Sequence, residues 1–244
     1  MRVDWLEDAV ALSGLGPTPL TVFPRNMEEA VVFHLRPVSL VRMPGLTTHR
    51  IRDWLSRRNI AIEAPAEDRA PHGCTVAIEE RGYIFWDTQD PEDVQRFTLA
   101  HEVAHFVVDH LQPRQEARRA LGERILRVFD KGQEPNIEEG MSAMFKRIPL
   151  AQLNLMNRGA SGDIRQGEIS FVEHRADRLA FELLAPASHA LPLLQHLPRK
   201  QGVDALVSHF GLPRKKARTY VRLLLGPERP RFSIQKYFED EEEG

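Results

Sequence analysis

The sequence predicts an α+β fold, and three observations carry that expectation. Residues 97–108 form an apolar helical stretch, two β-rich runs stand just before it around a Glu-Arg-Gly turn, and a second helical stretch at 170–186 keeps its apolar residues on one stripe. With 244 residues, 42% hydrophobic and 28% charged, the chain is long enough to bury one sizeable core with a small appendage. A formal net charge of −2 gives no global drive towards nucleic acid or membrane surfaces. Cys74 is the only cysteine, so an intramolecular disulfide is excluded and thiolate metal ligation is disfavoured. The first residues, Met1-Arg-Val-Asp4-Trp-Leu-Glu7-Asp8, place acids where a signal peptide is apolar, and no apolar run has membrane-spanning length, so a cytoplasmic protein is expected.

Taken in order, residues 1–36 are mixed and Pro-containing and read as an N-terminal extension. Residues 37–190 are expected to form the main domain. In it, Val38 to Met43 reads as a strand and Thr47 to Leu55 as an amphipathic helix capped by threonine. After a polar link at 64–73, Cys74 to Glu79 and Tyr83 to Asp87 flank Glu80-Arg81-Gly82 as a hairpin. Asp90 as N-cap, Pro91 at the first helical position and the acids Glu92 and Asp93 then start a helix cleanly. An insertion at about 112–165 contains amphipathic stretches near 116–128 and 138–156 and a Gly-rich loop from Gly159. Because it joins two key helices, it is expected near the cleft as a lid or substrate selector, or packed behind it. Residues 191–230 read as helix, Gly-containing turn and helix. The second helix carries Arg214, Lys215, Lys216, Arg218 and Arg222, a pattern weakly similar to helix-turn-helix units. Docking of its apolar residues on the core is favoured over DNA contact through 203–225. Residues 231–244 form an acidic tail.

The chemistry concentrates in His101-Glu102-Val103-Ala104-His105, an HExxH motif. On an α-helix, residues four apart lie within about 40° of each other, so two imidazoles can hold one Zn²⁺ while Glu102 stands beside it as general base. The ordinary alternative, a pair of hydrogen-bonded core histidines, leaves a glutamate in an apolar helix without compensation, which costs several kcal/mol. Catalytic zinc needs a third protein ligand. A third histidine in the HExxHxxGxxH pattern is excluded, because positions 108 and 111 are Val and Leu. His110 lies on the far side of the helix and reads as solvent-facing or capping.

A carboxylate from the second helix is the other source. Glu173 and Asp177 lie four apart there, so Glu173 can ligate while Asp177 accepts the remaining N–H of a ligating histidine. Two alternatives stay open. Ser170 and Glu173 also spell a capping box, and His174 is a spare ligand projecting about 100° away.

The pairing of FTLAHEVAHF (97–106) with VEHRADRLAFELLAP (172–186) resembles the ImmA/IrrE family of zinc metallopeptidases, over roughly residues 72–187. The resemblance implies a zincin-like core with one Zn²⁺ held by His101, His105 and Glu173, and Glu102 as general base. It further implies an endopeptidase acting on a helix-turn-helix repressor in phage, mobile-element or stress-response control. The spacing between the two zinc helices departs from compact members, which is what the insertion accounts for. In zinc peptidases of this architecture an exposed strand beside the cleft pairs with substrate, and Tyr83, Ile84, Phe85 and Trp86 are expected to supply it; an ordinary core strand is the alternative. From other classes, the rival readings are a zinc-stabilised transcription regulator and a toxin-antitoxin component, each acting by binding alone.

Overall fold

The computed structural model describes residues 4–18, 21–62, 67–126, 130 and 166–226. The amphipathic stretch at 138–156, the loop from Gly159 up to residue 165 and the acidic tail lie outside the described residues.

At the centre is a three-stranded sheet of β1 (Val38–Arg42), β2 (Gly73–Ile78) and β3 (Arg81–Trp86), in the order β1-β3-β2. β3 runs parallel to β1, with Leu40 opposite Ile84, and antiparallel to β2, with Thr75 opposite Ile84. The β2–β3 connection is a hairpin as expected, but its turn falls at Glu79-Glu80, with Glu79 at φ +52°, because Arg81 and Gly82 already pair with Ile78 and Ala77 in the sheet. Alternation along β3 sends neighbouring side chains to opposite faces. Phe85 packs with Ile51 and Leu55 of α3 (Thr48–Ser56), and Trp54 meets the Tyr83 and Phe85 rings edge-on at 5.9 and 5.3 Å. Thr47 caps α3 as expected, accepting from the Arg50 N–H.

Ile84 and Trp86 face the other way, into the main core. There they meet α4 (Glu92–His105), whose Phe97, Leu99, Ala100, Val103 and Ala104 are buried. The next layer is α6 (Gln166–Leu184), which buries Ala176, Leu179, Ala180, Phe181, Leu183 and Leu184. Small residues set the spacing between α4 and the sheet. A Cβ on Gly73 would fall 2.5 Å from Thr98 Cγ2 and 2.8 Å from Glu102 Cγ, and one on Gly82 would fall 2.7 Å from the Phe106 ring. Glycine is required at both places by close approach.

Three expectations are corrected here. Asp90 does not cap α4; Pro91 holds the cap position, and the Asp90 carboxylate meets His72 Nδ1 at 2.7 Å. His110 is not solvent-facing. After His105 the helix widens into a single π turn (Phe106–Leu111) before continuing as α5 (Gln112–Leu121), and this carries His110 inwards. Only 8% exposed, it stacks on Phe106 and hydrogen-bonds the Glu79 carbonyl through Nε2 at 2.6 Å, pinning the hairpin turn. Finally, β3 is not an edge strand. It is paired on both sides, with Ile84, Phe85 and Trp86 buried, so the segment Tyr83 to Trp86 has no free backbone to offer a substrate.

The termini of the described chain pack onto the same core. α1 (Asp4–Ser13) and α2 (Met27–His34) contribute Ala9, Met27 and Val31, and Arg25 donates to the carbonyls of Leu15 and Leu183 at 2.5 and 3.0 Å. After α7 (Ala187–Leu194), α8 (Arg199–Phe210) and α9 (Arg214–Leu225) form the helical hairpin. Its buried Val203, Leu206, Phe210, Ala217, Tyr220 and Val221 join the main core, with Tyr220 stacked on Phe181 at 4.5 Å and its hydroxyl donating to the Ala185 carbonyl at 2.7 Å.

Candidate metal centre

α4 and α6 cross so that the three sequence-selected ligands converge. His101 Nε2 lies 3.0 Å from His105 Nε2, while the two Glu173 oxygens lie 3.2 Å from His101 Nε2 and 3.5 Å from His105 Nε2. Among the described residues, His101, His105 and Glu173 form a group able to hold a metal ion, each offering one ligand atom within 4.8 Å of the others. The spacing tests which ion fits. Ligands about 2.0–2.1 Å from a tetrahedral zinc stand about 3.3 Å from one another, and the three distances bracket that value. The Glu173 side chain is 55% exposed, so the group opens to solvent on the α6 side. His174 is exposed and apart from the group. Since α6 begins at Gln166, Glu173 sits well inside the helix and has no N-terminal cap to make.

Each imidazole is braced from behind. His101 Nδ1 lies 2.9 Å from Asp177 Oδ1, an ion-pair contact that lacks hydrogen-bond alignment, and His105 Nδ1 hydrogen-bonds Asp109 Oδ2 at 2.7 Å. Asp177 was selected from its spacing to Glu173; Asp109 was not. The signal for it was present, since Asp109 follows His105 by one turn on the same helix, but the π turn starting at Phe106 obscures its direction. Such carboxylates fix the tautomer that leaves Nε2 free to ligate. They also set the charge. Burial lowers the pKa of both imidazoles, yet Asp177 and Glu173 more than reverse this at His101, and Asp109 and Glu173 push His105 up to about 10. Conversely, the two histidines hold Glu173 far below the usual carboxylate range. A cluster this attractive to positive charge suits a dication bound in exchange for protons.

Glu102 points towards β2, where the Thr75 hydroxyl donates either to its carboxylate, 2.9 Å away at Oε2, or to its backbone carbonyl at 2.8 Å. Burial raises the Glu102 pKa, and the neighbouring imidazoles only partly offset it. The sequence offered no way to find Thr75, because its role depends on β2 lying against α4. Cys74, one residue away, packs with the α3 cluster on the opposite face, and burial pushes its thiol up to about 12, so it stays a neutral thiol.

The family model Peptidase_M78, described as the IrrE N-terminal-like domain, matches residues 57–128. That span holds β2, β3, α4 and the HExxH motif, and it stops before α6 with Glu173 and Asp177. No curated protein and no solved structure matches the chain.

Proposed function

We propose that this chain, which carries an IrrE N-terminal-like domain of the M78 peptidases at residues 57–128, is a zinc-dependent endopeptidase that cuts a repressor-type regulatory protein. The observation that supports this most directly is the convergence of His101, His105 and Glu173 from two helices at tetrahedral spacing, with Glu102 adjacent on α4. Zinc held there supplies a Lewis acid that makes water acidic near neutral pH and polarises a peptide carbonyl. The chain's own residues provide the rest. Glu102, its pKa raised by burial and its Oε2 held by Thr75, takes the proton from the attacking water and passes it to the leaving nitrogen. Asp177 and Asp109 keep the imidazoles aligned.

β2, and not β3, is the strand suited to receive a substrate. Its far edge bears no strand among the described residues, and its Thr75 touches Glu102, so an extended peptide paired along that edge runs past the general base. The resemblance to ImmA/IrrE peptidases points to a helix-turn-helix repressor as that peptide's source. Glu102→Gln tests the reading, because it keeps size and hydrogen bonding but removes the base. The variant should fold and bind zinc, and lose cleavage of any helix-turn-helix repressor that the wild type cuts by orders of magnitude. Equal release of the repressor's target promoter by wild type and variant would favour a regulator that works by binding alone.

A further inference from the structure

The helical hairpin of α8 and α9 does more than cover the core. Lys216, in the first turn of α9, extends its Nζ to both oxygens of Asp177, at 2.8 Å each. Asp177 Oδ1 in turn lies 2.9 Å from His101 Nδ1. The same Nζ sits 4.5 Å above the Phe97 ring, and Phe97 stacks near His101 on α4. A carboxylate gripped at both oxygens cannot rotate freely about its terminal torsion, and here that rotation governs whether Oδ1 faces the imidazole. We propose that Lys216 is a positioning residue of the metal centre: acting through Asp177, it orients His101 for zinc, so that the hairpin is a structural part of the site.

Two features separate this from an ordinary surface ion pair. Such a pair contributes little and ends at its two partners; this one continues to a ligand, and its side chains are only 36% and 23% exposed. Further, the hairpin has independent anchors, the Tyr220 hydroxyl on the Ala185 carbonyl and its ring on Phe181, so its docking does not depend on Lys216. The contact with Asp177 is therefore free to serve His101.

This inference rests on the zinc reading above, and the whole 244-residue chain tests both separately. Zinc affinity would be measured by chelator competition, together with melting of the metal-free protein and the visible spectrum of its Co²⁺-loaded form. Lys216→Met, which keeps the stem over Phe97, should weaken zinc binding by about 10-fold or more, the range found when a group supporting a ligating histidine is lost, and should shift the cobalt bands. Lys216→Arg, whose planar fork also spans two carboxylate oxygens, should restore most of the affinity. Tyr220→Phe loosens the hairpin without touching Asp177 and should leave zinc affinity unchanged even if melting falls. Combining Lys216→Met with Asp177→Asn should weaken zinc no more than Asp177→Asn alone, because both act through one route. Wild-type zinc affinity in Lys216→Met, an equal loss in Tyr220→Phe, or additive losses in the double variant would each overturn the inference while leaving the zinc site standing. A wild-type protein that takes up no zinc would instead defeat the site reading itself, and this inference with it.

Discussion

At the scale of single residues, the ligand assignment makes a graded expectation. His101→Ala, His105→Ala and Glu173→Ala each remove one of three converging atoms and should each lose most of about one Zn²⁺ per chain, by elemental analysis of purified protein. His174→Ala, outside the group, should keep full zinc; retention by Glu173→Ala with loss by His174→Ala would reverse the assignment. His110 titrates independently of that group. Burial holds it neutral, with its pKa pushed down to about 4 while it bonds the Glu79 carbonyl. A histidine with a depressed folded pKa contributes stability that is complete above its unfolded value, about 6.5, and is lost as pH falls towards 4. The full effect is about 3 kcal/mol. His110→Gln, which retains a donor and cannot titrate, should flatten the acid limb of a denaturation-against-pH curve between those limits; an unchanged limb would refute the assignment.

Among the elements, the contact between β2 and α4 decides whether the general base is placed at all. Thr75 reaches Glu102 because Gly73, Thr75 and Ala77 give β2 a face of small residues towards α4, and Gly73 has no space for even one carbon. Gly73→Ala must push Thr98 and Glu102 aside, and overpacking of this kind costs about 1–3 kcal/mol. It should therefore lower the melting temperature and reduce turnover with little loss of zinc, since the atoms the new carbon meets belong to Thr98 and Glu102 and not to His101, His105 or Glu173. Thr75→Val should fold normally and reduce kcat while sparing zinc affinity. The sheet order also corrects the reading of the hairpin. Two strands of similar composition were distinguishable as a pair, but nothing local in Tyr83 to Trp86 records that β1, from earlier in the chain, closes the far edge of β3.

For the described residues as a whole, the packing of both their ends, α1 to α2 and α7 to α9, on the core of α4 and α6 is the governing feature. Phe210 is fully buried and meets Phe23 edge-on at 4.8 Å, so the C-terminal hairpin and the segment before α2 hold one another. Phe210→Ala should cost about 3–5 kcal/mol in chemical denaturation and melt the protein as one unit. The same docking argues about partners. Of the bases on α9, Lys216 is engaged by Asp177 and Arg214 by Asp204 at 2.7 Å, and the chain carries a formal net charge of −2. Binding to random duplex DNA should be no tighter than the ~10⁻⁴ to 10⁻⁶ M of nonspecific contacts, checked by titration at physiological salt. A nanomolar sequence-specific complex lost on Arg214→Ala with Arg218→Ala would promote the regulator reading. No helix among the described residues is long and apolar enough to cross a membrane.

The sequence by itself determined what is local in the chain. The i, i+4 spacing put His101 and His105 on one helix face, the same spacing on α6 linked Glu173 to Asp177, and alternation with turn chemistry marked the hairpin, because helical and strand periods are written in consecutive residues. Tertiary structure alone decided what depends on which elements meet. Strand order moved the free edge from β3 to β2, His110 turned inwards onto the Glu79 carbonyl, and the docking of α9 delivered Lys216 to Asp177. These contacts join residues far apart in sequence, and their existence follows from the packing of a shared core, for which no single stretch of the chain holds the pattern.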